Sequence, residues 1–206
     1  MHKNHKGIFI CVEGPNGAGK TTFIAELYNI LKKNYNVFLT KEPTNTDFGI
    51  LCKNAEGTLD ELLYTYLICA DRCNHIKNEI LPHIKKNEIV ISDRYIASSL
   101  VYQNFNGVPT DIVWDLNKHF LVPEINIFIF ANKEILADRL SKRSYFSTIE
   151  KIMTREEELK RYIQAKNFLS KKGYNCLTYY NNESDDLDKN VSHVYNIINK
   201  FIEVTK

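Results

Sequence analysis

Short apolar runs alternate along this chain with longer segments whose apolar residues recur at helical spacing. The runs predict five strands, at residues 8–12, 37–39, 88–93, 125–130 and 175–180. The longer segments predict helices at residues 21–33, 58–86 (one helix or two end to end), 97–104, 110–120, 133–142, 155–172 and 187–201. Thr58 followed by Glu61 is the expected capping box of the longest helix.

This alternation predicts a three-layer α/β/α fold with a largely parallel sheet of about five strands. We expect one domain over residues 1–206, with a polar gap at about 141–153 that would serve as a flap, or lid. Ligands of such sheets bind beyond the carboxyl ends of the strands. The residues that follow Val12, Leu39 and Ile91 should therefore converge on one cleft.

Composition and charge narrow the possible partners. Of the 206 residues 44% are hydrophobic and 25% charged, which is typical of a globular protein, and the net charge is only +2. That charge gives no electrostatic footprint for nucleic acid or an anionic membrane. No apolar run approaches the roughly 20 residues that a membrane helix needs, and the five cysteines contain no C-x-x-C pair. We expect a cytoplasmic protein with free thiols.

A glycine-rich loop follows the first predicted strand and leads into a predicted helix. It matches the phosphate-binding pattern G-x-x-x-x-G-K-[ST] and consists of Gly14, Pro15, Asn16, Gly17, Ala18, Gly19, Lys20 and Thr21. In such loops the backbone N–H groups and the helix N-terminus hold phosphates, the lysine reaches the β- and γ-phosphates, and the threonine binds Mg²⁺. The motif predicts a nucleoside triphosphate as ligand.

The other strand ends favour a kinase. Residues 132–135 lack the aspartate of the base-reading N-K-x-D loop, which disfavours a GTPase. A kinase instead needs a second anion site, and arginine binds phosphate with two donors. Arg72, Arg94, Arg139 and Arg143 are the candidates, and Arg94 directly follows a buried strand beside Asp93.

Five motifs in register resemble the thymidylate kinases of bacteria across nearly the whole chain. They are Gly14 to Thr22, Lys41-Glu42-Pro43-Thr44, Ala70-Asp71-Arg72, Asp93-Arg94-Tyr95 and Ser98-Ser99-Leu100-Val101-Tyr102-Gln103. The resemblance implies transfer of the γ-phosphoryl of ATP to the 5′-phosphate of thymidylate (dTMP), a requirement for Mg²⁺, and a homodimer. The acceptor is already an oxyanion, so positioning and charge neutralisation suffice without a general base.

The resemblance also implies roles for single residues. Arg72 and Arg94 would hold the acceptor phosphate, and Asp93 would lie near the metal with Thr21. The remaining residues expected at the acceptor are Glu42, Pro43, Ile68, Ser98, Tyr102 and Gln103, and the loop from Gly14 to Thr22 would hold ATP.

The family places a catalytic arginine in the glycine-rich loop or in the flap, and the loop here contains none. Arg143 is the first choice for this cation, with Lys142, Lys151 and Arg155 as rivals. The expected catalytic residues are therefore Lys20, Arg94 and Arg143.

Two departures from the family pattern concern the acceptor. Ile68 stands where relatives usually place a phenylalanine that stacks on thymine. The alternative is that Tyr64, Tyr66 or Tyr102 supplies the missing ring. Asn16 stands where they usually place a carboxylate that accepts from the sugar 3′-hydroxyl. Two alternatives stay open: a kinase of another nucleoside or nucleotide, and a catalytically silent ATP-binding protein.

Overall fold

The computed structural model describes residues 6–141, 151–183 and 185–204. These residues form a five-stranded sheet in which every neighbouring pair is parallel, with the order β2-β3-β1-β4-β5. The strands are β1 (Ile8–Glu13), β2 (Val37–Lys41), β3 (Ile89–Asp93), β4 (Ile125–Phe130) and β5 (Cys176–Tyr180). The predicted fold class and all five strands are thereby confirmed.

Helices connect the strands in the crossovers that a parallel sheet requires. They are α1 (Lys20–Leu31), α2 (Asp47–Ala55), α3 (Glu61–His75), α4 (Leu81–Lys85), α5 (Ile96–Phe105), α6 (Thr110–Asn117), α7 (Lys133–Ser141), α8 (Arg155–Lys171) and α9 (Asp186–Val204). A π-helical turn, Ile76–Ile80, joins α3 to α4.

Two hydrophobic clusters cover the two faces of the sheet. Every residue of β1 is buried because its side chains alternate between the clusters. Helices α1 and α9 contribute to the first cluster, and α5 and α8 to the second. The continuous apolar run of β1 therefore reflects burial on both sides, as the sequence predicts.

The connection between β2 and β3 differs from the prediction at two points. Helix α2 was not expected, and α3 begins at Glu61 rather than near Thr58. The N-cap is Asp60, whose carboxylate accepts from the backbone N–H groups of Leu62 and Leu63. Thr58 instead donates its hydroxyl to the carbonyl of Ala55. The predicted capping box at Thr58 is therefore wrong.

The carboxyl ends of β1, β2 and β3 meet at one edge of the sheet. Gly14, Glu42 and Arg94 follow these strands directly, so the three strand ends converge as predicted. All five cysteines are free thiols. Among the described residues, none of the helices has the length and apolar character needed to cross a bilayer.

Candidate active site

The glycine-rich loop has the backbone shape of a phosphate cradle. Gly14, Gly17 and Gly19 have φ of 141°, 83° and 93°, in the region that favours glycine. A Cβ at Gly14 would lie 2.1 Å from the carbonyl oxygen of Ile129, so only glycine fits there. The loop leads directly into α1, whose N-terminus begins at Lys20. Backbone N–H groups and a helix N-terminus thus converge, as anion binding requires.

Lys20 is buried and spans this loop. Its ammonium donates to the carbonyl oxygens of Gly14 (2.8 Å) and Pro15 (2.9 Å). Burial, and secondarily the charge of Arg94, lowers the pKa of Lys20 to about 7, although Asp93 acts in the opposite direction. A cation in so unfavourable an environment gains most when an anion such as a phosphate binds beside it.

Two side chains brace the loop from outside. The Arg139 guanidinium donates to the carbonyl oxygens of Gly17 (3.3 Å) and Asn181 (3.1 Å). The side-chain amide of Asn181 donates to the carbonyl of Ala18 at 3.1 Å. Arg139 therefore contacts the loop backbone, a role that the sequence did not assign to it.

The residues expected at the metal fit a divalent cation. Asp93 Oδ1 is buried and has no hydrogen-bond partner among the described residues. Asp93 and Thr21 line the same cleft beside the loop. An unpartnered carboxylate oxygen and a hydroxyl are hard oxygen ligands of the kind that Mg²⁺ prefers.

A second cleft of about 530 Å³ opens between the loop and helices α3 and α5. It brings together all eight residues expected at the acceptor, together with Asn16. Those eight lining residues are Glu42, Pro43, Ile68, Arg72, Arg94, Ser98, Tyr102 and Gln103. We call this cleft the acceptor pocket. Of the three tyrosines expected to supply a ring, Tyr64 and Tyr102 line it and Tyr66 does not; Tyr95 lines it as well.

Arg72 lies fully buried in the wall of the acceptor pocket. Its Nε and Nη2 donate to one oxygen of Glu42, at 2.9 and 2.6 Å, and Nη1 donates to Asn117. Nη2 also donates to the hydroxyl of Ser99 and the carbonyl of Tyr95, both at 3.1 Å. Most of its five N–H donors are therefore occupied by protein acceptors, and Glu42 compensates its charge.

Glu42 is held by a second basic side chain. Its other oxygen lies 3.0 Å from Nδ1 of His75, whose Nε2 lies 2.7 Å from the hydroxyl of Thr40. Burial alone would raise the pKa of Glu42, but Arg72 and His75 lower it overall. His75 and Asn117 were not predicted as site residues.

Arg94 has a different environment, with hydroxyl and amide partners in place of a directly bonded carboxylate. Its Nη1 donates to the hydroxyls of Tyr162 (2.5 Å), Tyr102 (3.0 Å) and Ser98 (3.3 Å), and Nη2 donates to Asn16. Its φ of 75° is uncommon for a residue other than glycine and is typical of strained functional positions. These neutral partners leave the positive charge of Arg94 available to an anion.

Glu13 fixes the segment that carries Arg94. One carboxylate oxygen accepts from the backbone N–H groups of Tyr95 (2.7 Å) and Ser98 (3.2 Å), and the other accepts from the Ser98 hydroxyl (2.7 Å). Burial raises the pKa of Glu13, and the Ser98 and Arg94 interactions oppose that shift. The sequence reasoning missed both Glu13 and Tyr162, since each reads as an ordinary strand-end or helix residue.

Arg143 and Lys142 lie outside the described residues. Of the rival cations, Arg155 begins α8 and donates to Glu158 at 3.2 Å.

Gln103 Oε1, in the acceptor pocket, is buried without a hydrogen-bond partner among the described residues, so it offers a free acceptor to a ligand.

The site combines the glycine-rich loop, a metal position at Thr21 and Asp93, and an adjacent acceptor pocket that contains Arg94. This combination defines a phosphotransferase of the P-loop class. The profile of the family described as thymidylate kinase matches residues 12–189. The chain therefore belongs to the thymidylate kinase family.

Individual relatives agree with this assignment. The probable thymidylate kinase of Staphylothermus marinus is 34% identical over 197 residues, covering 94% of this chain and 96% of the relative. That of Sulfurisphaera tokodaii is 39% identical, covering 76% and 80%. These relatives are archaeal, so the expected bacterial type is not supported.

A crystal structure of thymidylate kinase from Ehrlichia chaffeensis has the same fold. Its TM-score is 0.69 at 24% identity, with coverage of 93% of this chain and 98% of that chain.

Proposed function

We propose that this protein transfers the γ-phosphoryl of ATP to the 5′-phosphate of dTMP, giving dTDP, and that it does so in the cytoplasm. The observation that carries the proposal is the position of Arg94, which lies between the glycine-rich loop and the acceptor pocket. A phosphate bound to Arg94 would therefore face a γ-phosphate held by the loop and Lys20. Alignment of this kind is the main requirement of phosphoryl transfer.

Within the acceptor pocket, the two arginines have different capacities. Arg94 has neutral partners, and we assign it the acceptor's phosphate. Arg72 also lines the pocket, but its charge is compensated by Glu42 and few of its N–H donors remain free. It suits a single hydrogen bond to the acceptor better than a bidentate phosphate grip.

The remainder of the acceptor pocket fits a nucleotide base and sugar. Gln103 offers the unpartnered buried oxygen, which matches a donor such as the N3–H of thymine. Ile68 and the ring of Tyr64 supply apolar and aromatic surface. Ile68 contributes contact area without the stacking of a phenyl ring.

Thr21 and Asp93 are the residues that would hold Mg²⁺ beside the loop. When bound, the ion would neutralise charge on the β- and γ-phosphates of ATP. Asp93 would then gain the partner that its Oδ1 lacks within the described residues.

The test is ADP formation from ATP and Mg²⁺ with a panel of nucleoside monophosphates and nucleosides at matched concentrations. Turnover led by dTMP would support the proposal. Turnover led by another acceptor would make Ile68 and Asn16 determinants of a changed specificity. ATP binding without acceptor-dependent ADP formation would instead favour the catalytically silent alternative.

We further propose that Arg143 is the lid cation that neutralises the transferring phosphoryl group. Arg143→Ala should lower kcat on the order of 10²-fold with little change in the KM for dTMP, because the contact forms only in the transition state. Steady-state kinetics checks this, with Lys33→Ala, at an exposed lysine beyond α1, as the control. Unchanged turnover in Arg143→Ala would move the role to Lys151 or Arg155.

We propose that the chain forms a homodimer through an apolar surface on α2 and α3. Large hydrophobic side chains are exposed on these two helices and in the turn between them: Phe48, Ile50, Leu51, Leu59, Leu62, Leu63 and Tyr66. Four of them, Leu51, Leu59, Leu63 and Tyr66, line one apolar groove. Contiguous exposed apolar surface of this kind is typical of a protein interface.

Leu63→Glu should weaken this dimer by more than about 10-fold, because a charge would be buried at the contact. Leu63 is 54% exposed, so the chain itself should still fold. Light scattering coupled to size exclusion measures the change, with Ile163→Glu on α8 as the control at another exposed apolar position. A parent protein that is monomeric at micromolar concentration would refute the dimer.

A further inference from the structure

Asn16 and Glu158 meet at the junction of the glycine-rich loop and the acceptor pocket, although they lie 142 residues apart in the chain. Glu158 belongs to the first turn of α8, and its carboxylate is almost fully buried. One oxygen accepts from the backbone N–H of Asn16 (3.1 Å), the side-chain amide of Asn16 (2.9 Å) and the Tyr102 hydroxyl (2.8 Å). The other accepts from Arg155 at 3.2 Å.

These bonds determine which way the neighbouring polar groups point. Because the Asn16 amide nitrogen donates to Glu158 and to the Tyr102 hydroxyl, its carbonyl oxygen faces Arg94 and accepts from Nη2. Because Tyr102 gives its single hydroxyl proton to Glu158, its oxygen is left to accept, from Arg94 Nη1 at 3.0 Å as well as from the Asn16 amide. Both acceptors that Glu158 orients therefore converge on the Arg94 guanidinium.

We propose that Glu158 is a positioning residue for Arg94, acting through Asn16 and Tyr102, and that residues 16 and 158 form a pair that works with one carboxylate and one amide. The inference rests on the proposed role of Arg94 as the acceptor's phosphate ligand. Glu158 acts on the site through its hydrogen bonds with Asn16 and Tyr102. Its effect on the reaction comes from the direction in which these two residues hold the Arg94 guanidinium.

The chemistry of the pair explains why one member is an amide. Asn16→Asp would place a second carboxylate about 2.9 Å from Glu158 in a buried site, where like charges repel strongly. Glu158→Gln would leave two amides and remove the charged acceptor of three hydrogen bonds. Exchanging the groups removes the repulsion, since an amide at position 158 can donate to a carboxylate at position 16. The exchange is not equivalent to the parent, because that carboxylate then compensates part of the charge of Arg94.

The experiment is a double-mutant cycle with Glu158→Gln, Asn16→Asp and the exchanged double variant, measured by kcat and by the KM of each substrate. Glu158→Gln should raise the KM for the acceptor about 10-fold and that for ATP much less. Asn16→Asp should lower kcat/KM by about 10-fold or more, and the double variant should recover about 3-fold or more of that loss, because the repulsion is removed. Glu156→Gln, an exposed glutamate two residues away, is the matched control.

Independent effects of the two substitutions would overturn the proposal, as would loss of thermal stability in Glu158→Gln without a selective change in the acceptor KM. Failure of the proposed function can be told apart from failure of the Glu158 proposal because it is seen in the parent protein. The parent would then show turnover led by another acceptor, or no turnover. With another leading acceptor, the cycle uses that acceptor. With no turnover, calorimetric binding of dTMP replaces the KM, and the same rescue or its absence decides the proposal.

Discussion

Replacing Lys20 with methionine should lower turnover on the order of 10³-fold while changing the thermal stability by only a few degrees. The ammonium is the cation within the loop, and methionine keeps the volume of the side chain without its charge. Steady-state ADP formation measures the first effect and thermal unfolding the second. Lys33→Met, an exposed lysine beyond the same helix, is the matched control.

The expected stability of this variant follows from the low pKa of Lys20. Its pKa falls from 10.5 to about 7 on folding, chiefly through burial, so the charged form costs free energy in the folded state. Lys20→Met removes this cost, which offsets the loss of the two hydrogen bonds from Lys20 to the carbonyl oxygens of Gly14 and Pro15. Between pH 7 and 10.5 the folded parent binds fewer protons than the unfolded chain, so this residue makes stability rise with pH.

Lys20→Met should lack the rise of stability with pH that Lys20 contributes. The difference between the stability–pH profiles of the parent and the variant measures that contribution. A variant that keeps a tenth or more of the parent's turnover would contradict the role of Lys20 at the phosphates. A large loss of stability at neutral pH would show instead that Lys20 mainly holds the loop together.

Local sequence patterns were enough to predict the fold and the phosphate-binding loop of the site. The strand β1 is recognisable because burial on both faces removes polar residues from it, and the glycine-rich loop is a contiguous motif. In the acceptor pocket, Glu42 and Arg94 follow strand ends that a parallel sheet brings together. The pocket residues on helices α3 and α5, such as Ile68 and Gln103, were expected only from the resemblance to the family. Helix α2 was missed, since its segment, Asp47–Ala55, has only 9 residues and mixes polar and apolar positions.

The partners that orient the site residues could not be predicted from sequence. Glu156, Glu157 and Glu158 all stand in the first turn of α8 and look equivalent as helix-start residues. Packing alone buries Glu158 against the loop while Glu156 stays exposed. Asn117 reaches Arg72 across 45 residues of chain, and no spacing rule connects such a pair.

Glu42→Gln should destabilise the protein by about 3–5 kcal/mol, because it leaves the buried Arg72 guanidinium without its counter-charge. Glu42 accepts from Arg72 at 2.6 and 2.9 Å, and both side chains are buried. Chemical denaturation measures the change. Asp115→Asn, which breaks the exposed ion pair with Lys118, is the control and should cost less than about 1 kcal/mol.

The response to acid gives this prediction a second readout. Arg72 and His75 lower the pKa of Glu42 despite its burial, so the carboxylate stabilises the fold above its ordinary pKa and loses that effect as the pH falls through the lowered value. The Glu42→Gln protein should therefore lose stability less steeply on acidification than the parent.

A double variant separates the charge from the packing around it. Replacing both partners, as Glu42→Leu with Arg72→Met, should recover much of the lost stability, since well-packed apolar groups avoid the cost of a buried unpaired charge. Turnover of dTMP should not recover with it, because the acceptor pocket would have lost the donor of Arg72. A double variant as unstable as Glu42→Gln would mean that Asn117, Ser99 and His75 depend on the ion pair for their own packing, and that the pair organises this wall of the pocket.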